Sequence, residues 1–130
     1  MSLYKRDGSV INQFEVVDIK DNLSIISNYI DTITGAEWHV HQCGHVVQVL
    51  GAFKALKDIG NNTAFLEGLP KAIDNRGGII GVNQTTKQPV YLMINGQGRM
   101  INWYGTGPIA KGNDIRFGGI YFTNDMNAYE

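Results

Sequence analysis

Three histidines and a cysteine occupy every second position of one short stretch: His39, His41, Cys43 and His45 in Trp-His-Val-His-Gln-Cys-Gly-His. On a strand all four face the same way, with about 7 Å between successive side chains. That spacing suits shared ligation of one ion. His39 and His41 from three chains around a threefold axis offer six nitrogens to an octahedral transition metal. A half-exposed polar strand face is the stronger reading of the strip: it needs no ion, and no Asp or Glu lies within it. His39 and His41 therefore stand as candidate ligands only, and no metal or cofactor is assigned. Thiol catalysis needs an activating base and a third, orienting group, which a strand repeat does not supply. Cys43 reads as a small, partly buried residue.

A second stretch carries a different chemistry. Asn102-Trp103-Tyr104-Gly105-Thr106-Gly107 is followed by Lys111-Gly112-Asn113-Asp114-Ile115-Arg116. Saccharide recognition needs a flat aromatic surface for the apolar faces of sugar rings, and planar donors and acceptors for the hydroxyls. Trp103, Tyr104, Asn113, Asp114 and Arg116 supply both, and are the candidate saccharide-binding residues. Strand alternation sends Trp103 and Tyr104 to opposite faces, so at most one is core if both lie in the strand. Trp38 is assigned to packing where the N-terminal segment meets the rest. Glu67, Asp74, Asp114 and Asp125 are scattered and form no recognisable acid pair of the glycosidase kind. The reading is of binding without catalysis.

The elements that position these residues are short strands. The chain has 130 residues, 43% hydrophobic and 18% charged, which is room for one ordinary core plus a terminal arm. Its 16 glycines and three prolines fit many tight turns. Period-two patterning begins after Trp38. Strands are expected at residues 46–53, 64–66, 79–82, 90–94, 99–104 and 115–123. Asn95-Gly96-Gln97-Gly98 is a strong hairpin signal, because Asn and Gly accept the positive φ such turns require. This spacing indicates an antiparallel β-sandwich or jelly-roll-like head. Before it, Val16, Ile19, Leu23, Ile26, Ile30 and Ile33 are spaced 3-4-3-4-3, an a/d stripe with isoleucine at every d. That predicts a short helix, capped by Asp18 and ended by Gly35, in a trimeric coiled coil. Fewer than three heptads cannot hold three chains together without help from the rest.

The stretch from Trp38 to Thr123 resembles the C-terminal head domain of bacteriophage tail-fibre and baseplate receptor-binding proteins of Gram-positive hosts. The residues that carry the resemblance are Gly44-His45-Val46-Val47 opening a strand that closes on Gly51-Ala52-Phe53, then Leu69-Pro70. Gly98-Arg99-Met100-Ile101 and the final Ile120-Tyr121-Phe122 follow. The layout is similar to the small lactococcal-type receptor-binding proteins. The resemblance implies an N-terminal attachment, a helical shoulder and a trimeric β head that binds host-surface saccharide.

The combined expectation is an attachment segment and trimerising helix over 1–35, and a β-sandwich head over 36–130. It describes a homotrimer in the virion, at the tail tip or baseplate. The N-terminal segment would dock to a phage baseplate or tail protein, and the heads would bind host cell-wall polysaccharide. The alternative is a structural baseplate or neck protein that binds only other phage proteins. Eleven basic against twelve acidic residues, with no basic cluster, argue against nucleic acid. No apolar run approaches the ~20 residues of a membrane span, and Met1 to Asp7 lack the apolar segment of a secretion signal.

Overall fold

The computed structural model describes residues 3–4, 10–11, 15–33, 37–103 and 107–129. Eleven strands form among them, in two sheets. β1 (Leu3–Tyr4) and β2 (Val10–Ile11) pair antiparallel as a small ribbon. The other nine make one curled antiparallel sheet: β3 (Val16–Asp18), β4 (Ser24–Ile25), β5 (His39–Cys43), β6 (Val46–Lys54), β7 (Thr63–Glu67), β8 (Gly77–Asn83), β9 (Gln88–Ile94), β10 (Met100–Asn102) and β11 (Asp114–Phe122). Their order is β3-β5-β6-β11-β8-β9-β10-β7-β4. β3 and β4 stand at opposite ends of that order yet follow each other in sequence. Only the 3₁₀ turn at Lys20–Asn22 and its flanking residues separate these two edge strands along the chain.

Strand alternation builds the interior. β8 buries Gly77, Ile79, Gly81 and Asn83, and β11 buries Ile115, Phe117 and Tyr121. Trp38, Phe53, Phe65 and Phe117 form the aromatic centre. Trp38 meets Phe117 edge-on at 5.2 Å between ring centroids, and Phe53 lies 5.0 Å from Phe65. Trp38 is fully buried, and its Nε1 donates to the Ala52 carbonyl at 2.9 Å. Gly51 makes room for these rings: a Cβ there would sit 2.7 Å from Phe117 Cζ and 2.9 Å from Trp38 Cδ2. The Asn95 hairpin forms as its sequence predicts. Asn95 Oδ1 accepts the backbone N–H groups of Gln97 and Arg99, and Gly98 adopts a φ of 74°.

The mainly β, antiparallel character agrees with the sequence reading, but the N-terminal helix and its coiled coil do not. Among the described residues no helix exceeds three residues. Where the helix was expected, the chain runs as β3, a single 3₁₀ turn at Lys20–Asn22, and β4. Ser27 and Asn28 then take φ values of 49° and 55°, which no right-handed helix tolerates. Asp18, expected to cap the helix, instead precedes the N-cap Ile19 of that one turn and accepts the Lys20 N–H at 3.0 Å. The β-branched side chains and the turn-forming Ser-Asn pair outweigh the 3-4 spacing. The expected C-terminal Gly35 and the boundary over 34–36 lie outside the described residues.

The six stripe residues are divided by this path. Ile19 and Ile30 enter the common core, and Leu23 and Ile33 pack against it. Ile26 is half-buried, and Val16 is 61% exposed on β3. Residues 16–33 therefore share their core with the strands that follow.

Candidate functional site

Two of the predicted saccharide residues converge at one end of the sheet. β6 ends on Lys54 and its partner β11 begins at Asp114, in register with it. Residues 29–31 lie alongside: Asp31 N donates to the Lys54 carbonyl at 3.1 Å, and Lys54 N donates to Asp31 Oδ1 at 3.0 Å. Glu37, just before β5, reaches Arg116 on β11, with Oε2 3.4 Å from Nη1. The turn between β8 and β9 closes the far side, where Gln84 N donates to the Asp114 carbonyl at 2.7 Å. The result is an open groove of about 360 Å³ lined by Asp31, Glu37, Lys54, Gln84, Asp114 and Arg116 over Ala52, Phe53 and Ile115.

Asn113 builds this groove without lining it. Its Oδ1 accepts Asn83 Nδ2 at 2.9 Å and the Ala110 N–H at 3.1 Å. Asn83 Oδ1 in turn accepts the N–H groups of Thr85 and Thr86. The two loops bordering the groove are thereby held by one amide pair. Chemically the groove offers carboxylates, an amide, an ammonium and a guanidinium fork, a set suited to hydroxyl-rich ligands. Arg116 keeps most of its side chain in solvent, so its pairing with Glu37 orients the fork at little cost to its accessibility.

Trp103 is placed elsewhere. It follows β10 and its N–H donates to the Tyr91 carbonyl at 3.0 Å, extending the β9–β10 ladder. It does not line the groove. Tyr104 lies outside the described residues. Sequence reasoning missed Asp31, Glu37, Lys54 and Gln84, which arrive from four distant segments and share no local motif.

The histidine strip is shorter than its spacing promised. His39, His41 and Cys43 face one way on β5, between the inward Val40 and Gln42. The rings of His39 and His41 stack with centroids 6.3 Å apart. His45 has left the strand for the turn, where its Nδ1 lies 2.8 Å from the Thr123 carbonyl oxygen. Among the described residues no three His, Cys, Asp or Glu side chains gather as a metal site. Asp18 lies opposite His41. Its carboxyl is held below the ordinary value, chiefly by the Lys20 N–H, with the charges of His41, Lys20 and His39 adding to the effect.

A second surface is apolar. On the outside of the sheet Leu50, Gly118, Ile80 and Tyr91 stand in one cross-strand row over β6, β11, β8 and β9. Ile120 and Phe122 extend the face along β11, and Val82 extends it along β8. Ile80, Ile120 and Phe122 are 65%, 57% and 59% exposed. None of these positions carries a charge. A hollow of about 490 Å³ opens beside them, lined by Ile73, Asp74, Arg76, Gly78, Ile120, Tyr121 and Phe122. A Cβ at Gly78 would meet nothing within 4 Å. Continuous apolar knobs beside a hollow make a surface shaped for packing.

No known protein family, no curated protein and no solved structure matches the chain. Among the described residues no helix is long and apolar enough to cross a membrane.

Proposed function

We propose that this chain is a non-enzymatic recognition protein of a phage tail or baseplate, acting as a homotrimer that binds host cell-wall saccharide. The observation that carries the reading is the groove at the start of β11. Asp114 and Arg116, singled out from sequence, stand there with four further planar or charged side chains. Two of its three carboxylates already serve structure: Asp31 accepts the Lys54 N–H and Glu37 pairs with Arg116. That supports holding a ligand rather than cleaving it. The resemblance of residues 38–123 to phage receptor-binding heads supplies the biological setting. Weak binding in one groove is multiplied when several grooves engage a surface together.

With the helix gone, association falls to the apolar outer face. Leu50, Ile80, Val82, Tyr91, Ile120 and Phe122 are each 39–65% exposed, and a contiguous exposed apolar patch is the usual mark of an interaction surface. A net charge of −1 sets almost no repulsion between copies. The same face favours a second reading: a virion component that binds only other phage proteins through it.

Titration of host cell-wall polysaccharide fragments into wild-type protein, Asp114→Ala and Arg116→Ala separates these. Saccharide binding weakened at least tenfold by either substitution supports the recognition reading. No binding by the wild type supports the structural one. Consumption of the saccharide over hours would show an enzyme.

A further inference from the structure

Asn95-Gly96 is the one Asn-Gly pair in the sequence. A glycine after asparagine carries no Cβ to keep its backbone nitrogen away from the asparagine side-chain carbon, so the pair can rearrange covalently. The fold nonetheless requires both residues. Asn95 Oδ1 accepts the N–H groups of Gln97 at 2.9 Å and Arg99 at 3.0 Å, and only the oxygen end of the amide can serve two donors. The Asn95 carbonyl accepts from Gly98 and Ala72, each at 3.1 Å. At the next position a Cβ would collide with Asn75 Oδ1, so only glycine fits.

The two atoms that would react are held in opposite ways. The N–H pair on Asn95 Oδ1 is placed to stabilise negative charge gathering there when a nucleophile adds to Cγ, as an oxyanion hole does. The nucleophile itself is withheld. Gly96 N donates to Asn75 Oδ1 at 2.7 Å, and an amide nitrogen attacks only after giving up that proton. Asn75 belongs to a different segment, the turn Ile73–Asn75. Asp74 and Asn75 pass through φ values of 58° and 59° there, a region that residues other than glycine rarely occupy. Asn95 and Gly96 are both half-buried, so water reaches them.

We infer that Asn95 is a site of spontaneous deamidation, and that the Asn75 side chain sets its rate by holding the Gly96 N–H. When that hydrogen bond opens, Gly96 N loses its proton to solvent and forms a bond to Asn95 Cγ. The Cγ–Nδ2 bond breaks, Nδ2 takes up a proton and leaves as ammonia, and a succinimide ring remains. Water opens the ring at either carbonyl, giving aspartate or isoaspartate. Water is consumed and ammonia released, with no change of oxidation state. The isoaspartyl form lengthens the backbone at the residue whose carbonyl holds Ala72. It thereby slackens the Ile73–Asn75 turn beside the outer apolar face.

The test holds the full chain at mildly alkaline pH and follows Asn95 by peptide mapping that separates asparagine, aspartate and isoaspartate. Amide hydrogen exchange at Gly96 is read in parallel by NMR, and the same spectra check the fold of each variant. Wild type is expected to convert more slowly than the same chain unfolded in guanidinium chloride. Asn75→Gly suits the φ of 59° and removes the acceptor; it should speed both conversion and Gly96 exchange about tenfold. Asn75→Asp keeps an oxygen acceptor and should stay as slow as wild type. Glu67→Ala removes the Arg99 ion pair from the same hairpin without touching the Gly96 N–H, and should leave the rate unchanged. Three outcomes overturn the inference: Asn75→Gly converting at the wild-type rate, Glu67→Ala accelerating conversion as much as Asn75→Gly, or folded wild type converting as fast as the unfolded chain.

Discussion

One strand, β11, serves two surfaces of opposite character. Its first residues, Asp114 and Arg116, point outward into a polar groove, while Ile120 and Phe122 point outward onto an apolar face. Both sets lie on the solvent side of the same sheet, over the same buried row of Ile115, Phe117 and Tyr121. The core therefore does not explain the difference. A single-sided sheet needs only polar residues outside, and the groove end follows that rule. The other end breaks it with uncharged, bulky residues in adjacent register positions. Isolated exposed apolar residues are ordinary, but a contiguous patch marks a surface meant to be covered.

Placing charges on the face should break it most severely. On the proposed association through this face, Ile80→Glu with Ile120→Glu is expected to leave single chains, read as solution mass, with the circular dichroism of the fold unchanged. Saccharide should still bind in each groove, but with the surface avidity lost. Next in size, Arg116→Ala should weaken saccharide binding about 10- to 100-fold at unchanged mass. A hydrogen bond to a charged group is worth about 1.5–3 kcal/mol. Binding unaltered by this change would move the ligand away from the groove.

A third substitution probes the shared core between the two surfaces. Gly51→Ala forces a Cβ against Phe117 and Trp38 and should cost about 1–3 kcal/mol in urea unfolding. Mass and binding should both persist at moderate temperature. The smallest effect is expected at Asp18. Its carboxyl is held below its ordinary value of 3.8, so the folded pKa is lower than the unfolded one. Its contribution is present above the unfolded value and fades as pH falls through the folded value. The stability difference between wild type and Asp18→Asn should therefore shrink on acidification and not on alkalinisation. Asp18 is solvent-exposed, so this difference will be small.

Much of the sheet was legible because its signals are local. Val46–Lys54 and Asp114–Phe122 alternate in the required period, and Asn95 to Gly98 specify their own turn. Val16 to Ile33 misled because a 3-4 spacing of apolar residues also arises when a short strand, a 3₁₀ turn and a second strand each contribute one or two. Nothing in the spacing records that Ile19 N binds the Val40 carbonyl or that Ile26 N binds that of Phe65, the contacts that decide the path. The site divides the same way. Asp114 and Arg116 stand out in a polar loop, whereas Asp31 reaches the groove only through its pairing with Lys54, far along the chain. Asn113 carried a signal of a different kind: a loop amide whose work is to bind its neighbours.

The central claim is that the apolar face closes between copies of this chain while the groove stays open. Light scattering on a sizing column tests it most directly. The account predicts a species of roughly 43 kDa, three copies of the 14.4 kDa chain, that persists on dilution to micromolar concentration. A single chain of 14.4 kDa at every concentration would contradict it and leave the outer face for another protein to cover.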